Sequence, residues 1–364
     1  MLPDPDLVRA RLPAIAAQLL PIVGEPRALT RLTGGATKST WIFDADLAGR
    51  EILLSQAQPQ PQPQLQSQSR PQSKEQPQQQ RFVLQLTTAS VDDDPQTRSK
   101  LTAAEDAQIM TAVRAAKVLA PKVYAVLDES LGLGNGHITG FIAGETLGPR
   151  ILREPAYATA RERLPADCAQ ALARLHQIAP SAMPSLLPRD AAEQWQRYRS
   201  QVDSYRVRMP AVELGLRWVA ERLPQFALPP ERLTLVHGDF RLGNLIVNPM
   251  GLACVIDWEI AGLGDPAQDL AWLAIRTWRF GGSQPVLGLG QRESFYDAYQ
   301  RAGGAPVDRA RVQFWEVFSN LKWSIMCIGI ALGTPGSDRQ LSTLEHRAIG
   351  RRVEEPLWDM LEQL

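Results

Sequence analysis

Residues 233–258 read "LTLVHGDFRLGNLIVNPMGLACVIDW". Three short apolar runs, 233–236, 245–247 and 252–258, predict strands, with turn residues "NPMG" at 248–251 between the last two. Between the first two runs stand His237, Asp239 and Asn244 with Gly238 and Gly243. Gly, Asp and Asn each suit a turn. A turn does not, however, require His, Asp and Asn at these offsets, and the same stretch returns Asp257 toward that loop at the end of the third strand. A carboxylate at the end of an apolar strand is unfavourable unless it meets a cation or several donors. Three hard oxygen-bearing side chains that converge at strand ends suit Mg²⁺ better than a soft metal.

That pattern has a chemical precedent. In kinases a catalytic-loop Asp orients the substrate hydroxyl, an Asn five residues later holds Mg²⁺, and a later Asp at a strand end holds Mg²⁺ as well. Asp239 and Asn244 have this spacing, and Asp257 in "IDWE" takes the place of the later metal Asp. The segment "LVHGDFRLGNLIVNPMGLACVIDWEIAGLGDPAQDLAWL" (235–273) resembles the signature of the aminoglycoside phosphotransferase/choline kinase-like superfamily. "GDFRLGN", "TWRFGG" (277–282) and "GRRVEE" (350–355) resemble the kinase-like proteins related to the phosphotransferase domain of acyl-CoA dehydrogenase fusions.

The resemblance implies an α+β, two-lobed protein-kinase-like fold: a small N-lobe with an antiparallel sheet and a larger, mostly helical C-lobe. It implies ATP and Mg²⁺ as cofactors, Asp239 as catalytic base, and Asn244 and Asp257 as metal ligands. His237 would brace the loop rather than transfer protons. Asp265 and Asp269 in "GDPAQDL" read as helix-capping and loop-pinning residues. Glu259 either touches a metal-bound water or faces solvent.

Working outward, residues 28–48 read as strand, glycine loop, strand, and "RFVLQLTT" (81–88) as a further strand. "LTGGATKST" (32–40) sits where a phosphate-covering loop belongs, so Gly34 and Gly35 are nucleotide-binding candidates. On the strand that would carry the phosphate-facing cation, Gln85 occupies the cation position, and Glu105 on a helix over 99–116 is its expected carboxylate partner. A Gln donates to phosphate without bringing charge. "EILLSQ" (51–56) is the alternative strand, also without a basic residue; Lys38 is a second source of charge or a solvated surface lysine. Residues 55–80, rich in Gln and Pro, have too little apolar surface to offset ordering and read as a disordered insert at a hairpin tip.

"KVYAVLD" and "GHITGFIAG" predict two more strands, after which the pattern turns helical over 166–178, 191–223 and much of 291–363. The expected organisation is an N-terminal helix within 1–27, a nucleotide-binding lobe over 28–145 and a helical lobe over 146–364 that holds the catalytic loop and acceptor site. His176 reads as a packed core histidine. Trp272, Trp278, Trp315 and Trp323 read as core, with one or two open to lining a substrate cleft. Arg276, Arg279, Arg351 and Arg352 are either anchors for an anionic acceptor or solvated helix charge.

Composition narrows the function classes. Lys+Arg and Asp+Glu both number 39 in 364 residues, which gives no support to a nucleic-acid or membrane-surface partner. Three widely spaced cysteines signal neither a disulfide framework nor a zinc site and read as buried free thiols. The acidic start, with Asp4 and Asp6, reads as an amphipathic helix rather than a targeting segment, and "SIMCIGIALG" (324–333) is too short to span a bilayer. A cytoplasmic protein is expected. The leading reading is a kinase acting on a hydroxyl of a small molecule; the alternative is a nucleotide-binding pseudokinase with a regulatory role. Nearly balanced charge over 270–364 gives no support to a polycationic acceptor. A neutral or anionic hydroxylated metabolite fits better, and the resemblance implies an acyl-CoA-type hydroxy compound. Oligomeric state is not legible.

Overall fold

Alternation decides the first sheet. In the strand β2 (Lys38–Leu47) Trp41, Phe43 and Ala45 are buried, and in β3 (Gln78–Thr87) Phe82, Leu84 and Leu86 are. Successive strand side chains point to opposite faces, so each set forms one apolar face. The computed structural model describes residues 4–32, 38–48, 78–87, 100–183, 186–206, 208–332 and 343–364. The chain divides into two compact units, one of Met1–Asp93, Thr102–Ala107 and Pro121–Phe141, the other of Asp94–Leu101, Gln108–Ala120 and Ile142–Leu364.

The first unit is a five-stranded antiparallel sheet in the order β1-β2-β3-β5-β4, with β1 at Ile22–Leu32, β4 at Val123–Leu127 and β5 at Gly136–Gly140. Its apolar face meets helix α1 (Pro5–Leu19), whose Val8, Leu12, Ile15 and Ala16 recur at helical spacing. Asp4 caps this helix by accepting the Asp6 amide at 2.7 Å, and Pro5 presets its first turn. Phe43 stacks on Phe82 with centroids 5.3 Å apart. Each such ring contributes about 1.5–3 kcal/mol through burial, so Phe82→Ala would open a cavity that β2 and α1 cannot fill.

Two sequence expectations shift here. β1 begins at Ile22, ahead of residue 28, and is a largely exposed edge strand without apolar alternation. β3 begins at Gln78, so residues 78–80 of the presumed insert pair with β2 in register Gln78↔Leu47 to Gln80↔Ala45. The remainder of the insert, with 51–56 and Gly34 and Gly35, lies outside the described residues.

Helix α2 (Ala103–Ala115) contributes residues to both units. The second unit holds α3 (Gly148–Arg153), α4 (Ala158–Leu175), α5 (Ala191–Tyr205), α6 (Pro210–Phe226), α7 (Ala267–Trp272), α8 (Arg292–Arg301), α9 (Arg309–Leu332) and α10 (Thr343–Leu361). The periodic run 191–223 breaks at Arg206, which takes a left-handed φ of 55°, and resumes as α6 with Pro210 at its first turn. Asp308 caps α9 through the Ala310 and Arg311 amides. The buried Phe314, Phe318, Leu321 and Ile325 make α9 a central packing element. No helix among the described residues is long and apolar enough to cross a membrane. Cys168, Cys254 and Cys327 are buried free thiols.

Two small sheets carry the loops of interest. Strand β10 (Gly262–Gly264) runs parallel to β6 (Leu187–Arg189) and antiparallel to β7 (Thr234–Val236). Strands β8 (Leu245–Asn248) and β9 (Gly251–Val255) form a hairpin. Its turn is set by Asn248 Oδ1, which accepts the Met250 amide at 2.8 Å, and by Gly251 at φ 140°, where a Cβ would sit 2.3 Å from Asp167 Oδ2.

Candidate active site

The loop that leaves β7 is pinned from below. Asp269 on α7 has no exposed surface; it accepts the amides of His237 and Gly238 at 2.8 and 2.9 Å and His176 Nε2 at 3.2 Å. Burial alone would raise its carboxyl, but the His176 bond and the nearby imidazoles and loop amides outweigh it and hold the acid below the usual carboxylate range. His176 in turn has Nδ1 2.8 Å from the Tyr299 hydroxyl. It is a buried core histidine, as expected, and its work is to hold Asp269. Asp265 accepts the Ala267 amide ahead of α7 and is gripped from α9 by Arg311 and Trp315, each at 2.9 Å.

His237 braces the loop. Its Nδ1 accepts the Asp239 amide at 3.2 Å, so Nε2–H donates to the Ile256 carbonyl at 3.1 Å. Burial pushes its pKa down against the pull of Asp269, Asp239 and Asp257, in keeping with a neutral imidazole that carries no reacting proton.

Asp239 is held by three donors. Oδ1 accepts from Trp272 Nε1 at 2.7 Å and Arg241 Nε at 2.9 Å; Oδ2 accepts from Asn244 Nδ2 at 2.7 Å. A carboxylate offers about four acceptor positions. Three are taken, and the remaining one is on Oδ2. Arg241 also lies 4.3 Å over the Trp278 ring, which fixes the guanidinium.

Asn244 Nδ2 donates again to the Asp239 carbonyl at 3.0 Å, which leaves Oδ1 as the side chain's acceptor. Its own carbonyl receives the Ile256 amide at 2.9 Å, and this bond ties the loop to the segment after β9. Asp257 lies two residues beyond β9, rather than on the strand as expected, at a left-handed φ of 67°. Asp tolerates this region better than most residues, and such strain concentrates at functional sites. An amide oxygen and one carboxylate suit Mg²⁺, which takes few protein ligands and completes its shell with phosphates and water. Among the described residues no group of three or more His, Cys, Asp or Glu offers a denser metal site. Glu259 accepts Lys100 Nζ at 2.7 Å.

In the first unit, Gln85 stands on the sheet face opposite the α1 core. Its register partners are Thr40 and His137, and its Oε1 lies 3.1 Å from His137 Nε2. Burial pushes His137 down to about 4, so Nε2–H donates to Gln85 from a neutral ring. Glu105 closes a capping box: its Oε2 accepts the Thr102 amide and hydroxyl, both at 2.9 Å. Of the arginines suggested as anion anchors, Arg276 pairs with Asp359 at 3.3 Å and Arg279 donates twice to the Ala274 carbonyl; Arg352 is exposed. The Arg351 side chain lies outside the description.

Sequence reading missed two residues of this site. Trp272 is buried, as expected, but its indole N–H serves Asp239. Lys322 on α9 is buried, donates to the Gly238 carbonyl at 3.2 Å and lies 4.5 Å over the Trp272 ring. A single lysine within the apolar run "FWEVFSNLKWSIM" was the available signal.

A pinned Asp–Asn loop followed by a left-handed Asp in a helical unit, with a five-stranded antiparallel unit in the same chain, defines a kinase-like phosphotransferase fold. The chain belongs to the phosphotransferase enzyme family, whose model matches residues 31–315. It is 31% identical over 179 residues to acyl-CoA dehydrogenase family member 10 of Mus musculus, a match that covers 45% of this chain and 16% of that protein. The chain therefore spans only a small part of that relative. A putative aminoglycoside phosphotransferase from Ralstonia eutropha superposes with a TM-score of 0.65 at 20% identity, over 98% of each chain. A streptomycin–ATP–APH(2″)-IIa ternary complex superposes with a TM-score of 0.56 at 17% identity, over 100% of this chain and 99% of that one.

Proposed function

We propose that the chain is an ATP- and Mg²⁺-dependent kinase that phosphorylates a hydroxyl of a small molecule, with Asp239 as the residue that receives the hydroxyl proton. The observation that carries this reading is the Asp239 carboxylate, fixed by Trp272, Arg241 and Asn244 with one acceptor position left on Oδ2. A hydroxyl donating to that position is oriented for attack, and positioning supplies most of the acceleration in phosphoryl transfer. Asn244 and Asp257 are the residues that would hold Mg²⁺, whose chemistry there is to neutralise charge on the transferring phosphoryl group. Gly34, Gly35 and Gln85 are the proposed nucleotide contacts, with Glu105 on α2 beside them in the family pattern. The ATP in the ternary complex named above supports nucleotide use.

A coupled assay of ADP release over a panel of hydroxylated acceptors tests the reading. Asp239→Asn should keep nucleotide affinity and lower kcat by about 100- to 10,000-fold, the range for loss of a positioned general base. Equal ADP release from the wild type and this variant would refute the role of Asp239. Nucleotide binding with no turnover of any acceptor would favour a binding module instead.

A further inference from the structure

A cavity of about 200 Å³ lies in the second unit beside the catalytic loop, bordered by Gly238 and Ile260 and by residues of α5 and α9. Its wall carries four cations, Lys100, Arg189, Arg197 and Lys322, and among the described residues that line it none is acidic. Carboxylates act on these cations from outside the wall: Glu259 pairs with Lys100 at 2.7 Å and Glu193 with Arg197 at 3.8 Å, while Asp239 and Asp269 attract Lys322. Arg189 is 4% exposed and donates to the Ile260 carbonyl at 3.0 Å. Lys322 has three donors and makes one hydrogen bond, to the Gly238 carbonyl. A buried ammonium that faces other cations is strongly unfavourable unless an anion compensates it.

A second arginine-rich cavity gives the contrast. It has Arg276, Arg279, Arg292 and Arg309 in its wall, but there the wall also holds four carboxylates, and Asp359, Glu316 and Glu293 pair with Arg276, Arg292 and Arg309. Carboxylates share that wall with the cations; among the described residues that line the first cavity there are none, and its cations meet carboxylates only from outside.

We propose that the cavity beside Gly238 is the acceptor site and that the acceptor is an anion, a hydroxylated molecule whose carboxylate or phosphate is held by Lys322, Arg197 and Arg189. This rests on the phosphotransferase reading, which requires an acceptor next to Asp239. The Lys322 bond to Gly238 ties the anion-holding group to the residue before the base, so binding an anion there sets the hydroxyl end of the molecule relative to Asp239. Gln201 on α5, with one amide N–H given to the Tyr205 hydroxyl, adds a neutral donor to the same wall. Burial, with repulsion from Arg197 and Arg189, holds Lys322 below its ordinary range, and an occupying anion would restore it.

The test is calorimetric titration of the whole chain, at constant ionic strength, with glycerol 3-phosphate, glycerate and glycerol. Each titration is run with and without Mg²⁺ and a non-hydrolysable ATP analogue. At least one of the two anions should bind in a saturable isotherm while glycerol does not, and the tighter one distinguishes phosphate from carboxylate. Arg197→Gln, at a partly exposed position, and Lys322→Met should each weaken that binding by about ten-fold or more. Absence of binding by both anions, or wild-type affinity in both folded variants, would overturn the anionic site. If the ATP analogue binds while the anions do not, the phosphotransferase reading survives and this inference fails. If the anions bind and the analogue does not, the cationic site stands and the nucleotide reading fails.

Discussion

Replacing Lys322 by Met should stabilise the protein at neutral pH. The buried ammonium is pushed down to about 8 from an ordinary 10.5, first by burial and then by Arg197 and Arg189, against attraction from Asp239 and Asp269. A gap of about 2.5 pH units corresponds to about 3 kcal/mol at about 1.4 kcal/mol per unit. The Gly238 hydrogen bond is lost in the variant, which returns about 1 kcal/mol. Methionine fills a similar volume with no charge to desolvate. The net gain is therefore about 2 kcal/mol at pH 7, a rise in Tm of about 2–3 °C for a chain of this length. The sign follows from linkage. Between pH 8 and 10.5 the unfolded lysine holds its proton while the folded one has lost it, so the unfolded chain binds more protons and wild-type stability rises with pH. The difference between the two proteins should be full below pH 8 and close by about pH 10.5. Urea denaturation at pH 7, 9 and 10.5 measures it. A variant less stable than wild type at pH 7, or a difference that does not change with pH, would refute the reasoning.

Two further outcomes are expected. Trp272→Phe removes one donor from Asp239 and keeps the ring against Trp278; kcat should fall by about ten-fold with acceptor KM nearly unchanged, and a change confined to KM would count against the positioning role. Gln85→Lys should tighten binding of an ATP analogue by about 1–3 kcal/mol, the scale of a hydrogen bond to a charged group, and lower thermal stability because His137 Nε2–H loses its acceptor. Unchanged or weaker nucleotide binding would place the phosphate contact elsewhere.

What the sequence disclosed depended on how local the signal was. The Asp239–Asn244 spacing and the hairpin that follows are written within a few dozen residues, and short-range turn chemistry fixes them. The alternation in β2 and most of β3 was legible because one face of each strand is buried. The polar residues 78–80 gave no such signal, since a strand there needs only backbone ladder bonds to β2. The start of β1 was hidden for the same reason: an exposed edge strand has no apolar period. The split between α5 and α6 turns on Arg206 in a left-handed conformation, which no residue type announces. Trp272 and Lys322 were invisible as site residues because their contacts join positions 33 and 84 residues apart in the chain. Those pairings exist only once α7 and α9 have packed.

Helix α9 grips Asp265 through Arg311 and Trp315, and holds the loop after β7 through the Lys322 bond to Gly238. From Arg311 to Lys322 is about three helical turns, or roughly 16 Å. The segment therefore works as a gauge. Between its two grips only Gln313 is exposed, so packing constrains its side chains, and the two grips fix its length. One inserted residue would turn Lys322 by about 100° relative to Trp315, carrying the ammonium off Gly238 while Asp265 stayed gripped. Within this stretch a change of count would cost the protein more than a conservative change at any one position.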